Sequence, residues 1–598
     1  LTNFSNNSLP EGLIFLIWTS YEESTGRNVL HDLHKSADIP IAVDTETTGF
    51  NTVGGEDYVI GISIAALLDN GPVSHYFGIR HSVGDNIDES TFDQLKYVLE
   101  QEGRPLIFAN VQFDVLAMET LGIHTADNPF WDILTMANLV DENDPIQKSL
   151  ANLSMRYLGE QGKLDTPEIR KEKKSGWLNT TPELMFDYAV ADVVTTWRIW
   201  QQLMAHAEWA AIPEEVWDQK QKLIRVLMHM RRRGVRIDQD LALNMVRIGD
   251  ARIDEIKKEL GVNPASNKDM YDLLIEKLGL PVVKKSAKTG KPSFDKFAME
   301  EYELLLDRMD SPIAKLIKEF RGWQKSISAS YKPYLDLLDT DGRLRCSYKT
   351  HGTVSGRLSC AEPNLQQIPK ASDKPWNGRV KECFIAAPGY SLVEFDYSQL
   401  ELRLGTAYAK EESLKQVFAE GRDIFDEMSA QLGMTRQDTK TLVYSMQYGA
   451  GEKRIMAAFG VDQPEAKRLR ENYFATYPRF KALSDVASAK AEQAGRVKIW
   501  SGRFRHFQYP SESYKALNSI IQGGAADIVE RVMVRAFDEI DNEDCRLLLQ
   551  VHDSLLWEIK TDKLDEYSER ILTLMEDVEP KDFDVKFAVD MKILGGQK

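Results

Sequence analysis

The sequence predicts a multidomain chain, α/β in its first third and α+β in the remainder. Three observations predict it. The chain has 598 residues, more than one hydrophobic core organises. Strand-like runs at 39–43, 58–67 and 72–79 give way to alternating helical patterns that end near residue 205. Beyond that point helical patterns dominate. Strand-like runs return at 343–348 and 391–396, then in a closing group at 546–551, 555–559 and 584–592.

The elements follow in order. Ile39-Pro-Ile-Ala-Val43 is an apolar strand, and apolar spacing predicts helices over 91–101 and 113–121. A helix over 217–230 runs into Arg231-Arg-Arg-Gly-Val-Arg-Ile-Asp238, where Gly234 reads as a helix stop. Residues 240–340 are mostly helical, with a basic, turn-rich interruption at 284–292. Helices dominate 399–530.

Bulk properties bound the function. Hydrophobic residues make up 43%, enough for large cores, and no apolar run approaches the length of a membrane span. No secretory signal is visible, and the chain begins with Leu1 rather than Met. Cys346, Cys360, Cys383 and Cys545 are scattered without metal-ligand spacing, as expected of reduced thiols in a cytoplasmic protein. The net charge of -18 argues against a protein that coats DNA by bulk charge. Local contacts with phosphate remain open, because charges act within about 10 Å at ordinary salt. The basic clusters Arg231-Arg-Arg233, Lys284-Lys285 and Arg503 with Arg505 each read, alone, as solvated surface.

Two sets of carboxylates carry the chemistry. Val43-Asp44-Thr45-Glu46-Thr47 closes an apolar strand, and residues i and i+2 of a strand face the same way. Asp44 and Glu46 therefore present two carboxylates to one side. Asp114 follows a second apolar run at 105–109. Tyr188 and Asp192 stand four apart in a helical pattern and share a face. Two divalent metals among such groups activate a water and stabilise the leaving oxygen in phosphodiester hydrolysis. Hard oxygen ligands suit Mg²⁺ or Mn²⁺. Each piece alone is commonplace; their joint order is far more specific.

The second set lies in the last 250 residues or so. Asp396 follows the apolar strand Ser391-Leu-Val-Glu-Phe395, and Asp553 follows Leu547-Leu-Leu-Gln-Val-His552. An Asp at each of two adjacent strand ends makes a metal clamp for attack of a hydroxyl on an α-phosphate. Between them, Arg436, Lys440, Tyr444 and Tyr448 step by four along a helical pattern, one drifting stripe. Its cations can grip β and γ phosphates. Tyr444 can pack against a nucleotide's sugar and base, and Tyr448 can lie near a template base. An amphipathic surface helix gives the same spacing.

These segments, with Thr353-Val-Ser-Gly-Arg-Leu-Ser359 and Pro363-Asn-Leu-Gln366, resemble the motifs of family A DNA polymerases. Asp44, Glu46, Asp114, Tyr188 and Asp192 resemble the tyrosine-bearing branch of the DEDD exonucleases. The resemblance covers the chain from about residue 38 to the end. It implies an RNase H-like 3′–5′ exonuclease domain at 1–205 and a right-hand polymerase domain at 206–598. The thumb falls at about 206–340, the palm at 341–410 and 528–598, and the fingers at 411–527. No room is expected for a 5′-nuclease domain before Asp44, and the thumb reads as plain.

By that resemblance, Asp44, Glu46, Asp114 and Asp192 bind metal, and Tyr188 orients the attacking water. Asp396 and Asp553 hold the polymerase metals, two per active site. Arg436, Lys440, Tyr444, Glu401 and Gln399 meet the nucleotide, Glu401 by blocking a ribose 2′-hydroxyl. Arg357, Asn364 and Gln366 meet the minor groove, whose degenerate pattern suits a sequence-blind reader. Tyr448, Arg503, Arg505, Asn518, Gln522 and His552 complete the DNA contacts. Ser554 stands where Glu is usual, Gln367 where Asn is common, and Phe425 where many relatives carry His, variants that point to a phage-type branch. The implied partners are primer-template DNA, deoxynucleoside triphosphates and a single-stranded 3′ end. The implied state is a monomer in the cytoplasm, that of the host cell for a phage protein. The rival reading is a DNA-binding nuclease or scaffold with an inactive polymerase half.

Overall fold

A computed structural model describes residues 23–594, apart from 146, 161, 163–165, 178, 310, 370–373, 448, 579 and 581–582. The first body is built on five strands: β1 (Ile41–Thr47), β2 (Val59–Leu68), β3 (Gly71–Gly78), β4 (Leu106–Phe108) and β5 (Phe130–Asp132). Their order is β3-β2-β1-β4-β5, with β3, β2 and β1 antiparallel and β4 and β5 parallel to β1. Strand alternation splits the sheet between two cores. Ile41 and Val43 point to one side, with the helices Glu23–His34 and Val111–Glu119. Ala42 points to the other, with the helix Pro182–Met204. By the same alternation Asp44 and Glu46 face that long helix, while Thr45 faces the helix Val111–Glu119.

The segment read as the end of an apolar strand is the end of β1: Asp44, Thr45 and Glu46 pair with Ser63, Ile62 and Gly61 of β2. A run predicted at 584–592 begins only at Val589.

The second body contains β6 (Val235–Ile237), β7 (Arg343–Leu344), β8 (Ser347–Lys349), β9 (Ser359–Ala361), β10 (Phe384–Ile385), β11 (Tyr390–Tyr397), β12 (Arg496–Lys498), β13 (Phe504–His506), β14 (Cys545–Val551), β15 (Ser554–Lys560) and β16 (Val589–Leu594). Its main sheet has the order β14-β15-β11-β16, all antiparallel, over a core that includes Val393, Phe395, Leu547 and Trp557. The helix Ala516–Glu539 packs against the helices Glu214–Arg233 and Leu400–Ala409. Two outlying helical groups have cores of their own. One gathers around Ile256, Tyr302 and Phe320, the other around Phe418, Phe425, Leu442 and Tyr473.

The bodies meet through apolar and polar contacts: Ile224 and Met228 of the helix Glu214–Arg233 join the core of the first body, and Trp217 stacks on Trp131 at 5.3 Å. Thr135 Oγ1 lies 2.7 Å from Thr350 Oγ1, and Gln112 Nε2 donates to the Tyr348 carbonyl at 3.0 Å. The Arg231-Arg-Arg233 cluster is not a solvated patch. Arg231 is largely buried, Arg232 pairs with Glu119 of the first body, and Arg233 pairs with Asp541 at 2.5 Å. Among the described residues no helix is long and apolar enough to cross a membrane.

Candidate functional site

The first site forms where β1 meets the helix Pro182–Met204. Asp44, Glu46 and Asp192 each offer a carboxylate oxygen, and these atoms lie within 4.8 Å of one another. Asp114 joins from behind the strand. The Thr45 backbone N–H and hydroxyl both donate to Asp114 Oδ1, at 3.0 and 2.7 Å, tying the helix Val111–Glu119 to β1. Burial, then the neighbouring Asp44 charge, hold the Asp114 carboxyl well above the usual carboxylate range despite those bonds. A divalent cation among these oxygens would offset that repulsion, so the donor set fits Mg²⁺ or Mn²⁺. Tyr188 is buried beside them, its phenol kept protonated by burial and by the charges of Glu46, Asp192 and Asp44. All five expected residues therefore gather at one place.

Sequence reasoning missed two neighbours. Lys173 Nζ donates to Tyr188 Oη at 3.4 Å and also lies over its ring. Asp132 is buried, caps the helix Ile133–Val140 by accepting from Leu134 and Thr135, and accepts from the Val111 N–H. Burial pushes its carboxyl up to about 6. Asp132 at the end of an apolar run was a legible cap signal; Lys173 carried none.

The second site lies at one end of the main sheet of the second body. Asp396 is an exposed residue of β11, in register with Ser554 of β15 and Asp590 of β16. Asp553 sits in the two-residue turn between β14 and β15, and its carbonyl accepts from the Tyr397 N–H at 3.2 Å. The preceding His552 is exposed and has φ +57°, a left-handed conformation that a non-glycine residue adopts at a cost. Burial raises the Asp553 carboxyl, opposed by the Arg357 guanidinium, whose Nη2 lies 3.8 Å from Asp553 Oδ1. Two carboxylates at neighbouring strand ends, one of them shifted up, are a donor pair that a divalent cation suits.

Ser554 is buried and donates to the Val551 carbonyl at 3.0 Å, so its hydroxyl is already engaged in closing the turn. Glu401 opens the helix Leu400–Ala409, whose N-cap Gln399 is left-handed at φ 55°. The stripe on the helix Arg436–Gln447 is organised by Phe425. Arg436 and Lys440 lie 5.8 and 5.7 Å over its ring, and the half-buried Tyr444 ring is 5.9 Å away. Arg436 also pairs with Asp423 at 2.7 Å and Asp426 at 2.9 Å. Tyr448 lies outside the described residues.

Asn364 is exposed and caps a short turn by accepting from the Gln366 N–H. Gln366 is buried and donates to Gln550 Oε1 at 2.7 Å. Asn518 and Gln522 sit half-buried on the helix Ala516–Glu539.

Arg503 and Arg505 must be withdrawn as DNA contacts, because both are buried and spent inside the protein. Arg503 bonds Asp527 at 3.2 Å and the carbonyls of Ser355 and Gly523. Gly356, at φ +85°, passes so close that a Cβ there would meet that guanidinium. Arg505 bonds Glu142 of the first body at 2.6 Å, and His506 bonds the same carboxylate at 2.9 Å. Breaking one partner of such a buried pair costs about 3–5 kcal/mol, which marks these arginines as braces.

The chain resembles known proteins along nearly its whole length. A family model described as DNA polymerase family A matches residues 236–596, and one described as 3′-5′ exonuclease matches residues 19–208. DNA polymerase I of Pseudomonas aeruginosa is 28% identical over 582 residues, covering 90% of this chain and 61% of that protein. The thermostable DNA polymerase I of Thermus aquaticus is 29% identical over 507 residues, covering 80% and 56%. The chain thus spans about three fifths of the length of these relatives. Among solved structures, the POL domain of Pol1 from M. smegmatis, in complex with DNA primer-template and dNTP, matches with a TM-score of 0.75. It is 20% identical, covers 96% of this chain and 98% of its own, and shows the shared fold. With an exonuclease domain ahead of a polymerase match that takes in more than half of its residues, the chain belongs to DNA polymerase family A.

Proposed function

We propose that this chain is a template-directed DNA polymerase that adds deoxynucleotides to a primer 3′ end, with a linked 3′–5′ exonuclease that removes misplaced ones. The observation that carries the reading is the meeting of Asp396 and Asp553 at one end of a sheet, in a chain whose family matches name both activities. Residues 1–205 are the exonuclease and 206–598 the polymerase. The thumb is 206–340, the palm 341–410 with 528–598, and the fingers 411–527.

Asp396 and Asp553 would hold two divalent metals, as would Asp44, Glu46, Asp114 and Asp192. Metals so bound make the attacking oxygen more acidic and offset charge on the phosphate. The protein's own groups do the rest. Arg436 leaves Asp423 and Asp426 for the triphosphate, and Lys440 joins it, both already steered by the Phe425 ring. Tyr444 packs on the sugar and base, and Glu401 with Gln399 bounds the sugar edge. Arg357 and Asn364 reach the minor groove, Asn518 and Gln522 line the template, and His552 lies at the primer terminus. In the other site Tyr188 orients the water that attacks the terminal phosphodiester.

The partners are primer-template DNA, deoxynucleoside triphosphates and a frayed single-stranded 3′ end, for a monomer working in the cytoplasm. Primer-template and dNTP are what the M. smegmatis structure holds. A role in phage replication rests on the motif variants alone, since the relatives compared above are bacterial. A 5′-labelled primer-template with Mg²⁺ tests the reading. Extension with the four deoxynucleotides and shortening without them are expected. Shortening without any extension would favour the nuclease or scaffold alternative.

A further inference from the structure

On that polymerase reading, Asp553 is held in place from the edge of its sheet. β14 is the edge of its sheet, and a strand edge leaves backbone groups without a ladder partner. At Gln550, three residues before Asp553, a single side-chain atom takes both groups. The Gln550 N–H donates to Tyr348 Oη at 2.9 Å, and Tyr348 Oη donates to the Gln550 carbonyl at 2.8 Å. The hydroxyl thus takes the place of a missing strand at one residue.

The surroundings fix both ends of this contact. Tyr348 is 3% exposed, and its backbone pairs with Cys360 in the β8–β9 ladder. Its carbonyl accepts from Gln112 Nε2 at 3.0 Å, on the helix that carries Asp114. On the other end, the Gln550 side chain donates to the His552 carbonyl and accepts from Gln366 Nε2. The turn between them holds the left-handed His552, a conformation that persists only where its neighbours over-determine it.

We propose that Tyr348 is a positioning residue for DNA synthesis. Its hydroxyl fixes Gln550 at the sheet edge and so sets the orientation of Asp553, and Gln112 lets the exonuclease body brace that contact. Phenylalanine at 348 keeps the ring's packing but removes both bonds, leaving a buried N–H and carbonyl of Gln550 without that partner.

The test is Tyr348→Phe in the full chain, with Gln112→Ala as a second variant. Four quantities are read: kcat and KM for single-nucleotide extension, the Mg²⁺ concentration giving half-maximal extension, degradation of single-stranded DNA, and hydrogen exchange of residues 545–556 in metal-free protein. For Tyr348→Phe, kcat should fall about tenfold and the half-maximal Mg²⁺ should rise about threefold. Exchange over 545–556 should quicken about tenfold, while nucleotide KM and degradation stay within about twofold. Gln112→Ala should move the same readouts less. Unchanged kcat, Mg²⁺ response and exchange would overturn the proposal. So would an equal fall in extension and degradation with a lowered Tm, which marks general destabilisation. A native chain that does not extend primers at all would instead sink the polymerase reading, and the exchange difference would still report on Tyr348.

Discussion

Arg357 bridges Glu401 and Asp553: its Nη2 lies 2.5 Å from Glu401 Oε1 and 3.8 Å from Asp553 Oδ1. The residue proposed to exclude ribose and the residue proposed to hold metal therefore share one cation. Glu401→Ala should open the sugar's 2′ side and raise ribonucleotide use, about tenfold or more relative to deoxynucleotide. The ratio of the two in single-nucleotide extension measures it, and an unchanged ratio refutes the assignment.

The two activities should separate. Asp44→Ala with Glu46→Ala removes two of three clustered carboxylates in the first body, remote in the chain from Asp396 and Asp553. Degradation of single-stranded DNA should fall on the order of 10³-fold, with extension largely intact. Equal loss of both on a labelled primer-template would show that the sites are not independent.

Asp396→Ala and Asp553→Ala should each remove extension on the same scale while DNA binding survives. Ser554→Ala should be mild, because its hydroxyl is engaged with the Val551 carbonyl at 3.0 Å. A Ser554→Ala enzyme as inactive as Asp553→Ala would overturn that ranking.

Tyr444 stands half-buried on the stripe steered by Phe425, its ring 5.9 Å away. The phenol hydroxyl can fill the space and supply the polar contact that a missing 3′-hydroxyl leaves. The native enzyme should accept dideoxynucleotides readily, and Tyr444→Phe should discriminate against them at least about 100-fold while extending normally. The comparison belongs in an Asp44→Ala, Glu46→Ala background, so that terminators are not excised. Equal dideoxynucleotide use by both enzymes would misplace this helix.

Acid should loosen the join between the bodies. His351 is buried beside the Asn138 contact, and burial, then the Lys349 and Lys148 charges, push its imidazole down from 6.5 to about 4. The unfolded chain takes up a proton below 6.5 that the folded protein refuses. This contribution is full above 6.5 and is lost as pH falls towards about 4. Tm between pH 7.5 and 5 should drop less in His351→Gln than in the native chain; an equal drop removes His351 from the account.

Much of both sites was legible because short-range periodicity sets side-chain direction. Strand alternation put Asp44 and Glu46 on one face, and helical spacing put Tyr188 beside Asp192. What the sequence hid was partnership over long separations. Arg503 meets Asp527, 24 positions away, and Arg505 meets Glu142, 363 positions away. Spacing shows two basic residues near a strand and nothing of the carboxylates that take them inside. Tyr348 and Gln550 stand 202 positions apart, and neither residue type announces the other. The start of β16 was misread because 584–592 is apolar enough for a strand, yet only from Val589 does it pair with β11.

The order of strands in the main sheet also bears on how the protein is made. Every described strand of the first body lies between Ile41 and Asp132, so that sheet can close early during synthesis. The sheet that carries Asp396 instead waits for Val589–Leu594, the last of its four described strands in chain order, which pairs directly with β11. A growing chain therefore carries a finished nuclease fold long before its other half can close, and for that interval the edge of β11 stands open as a place for misassembly.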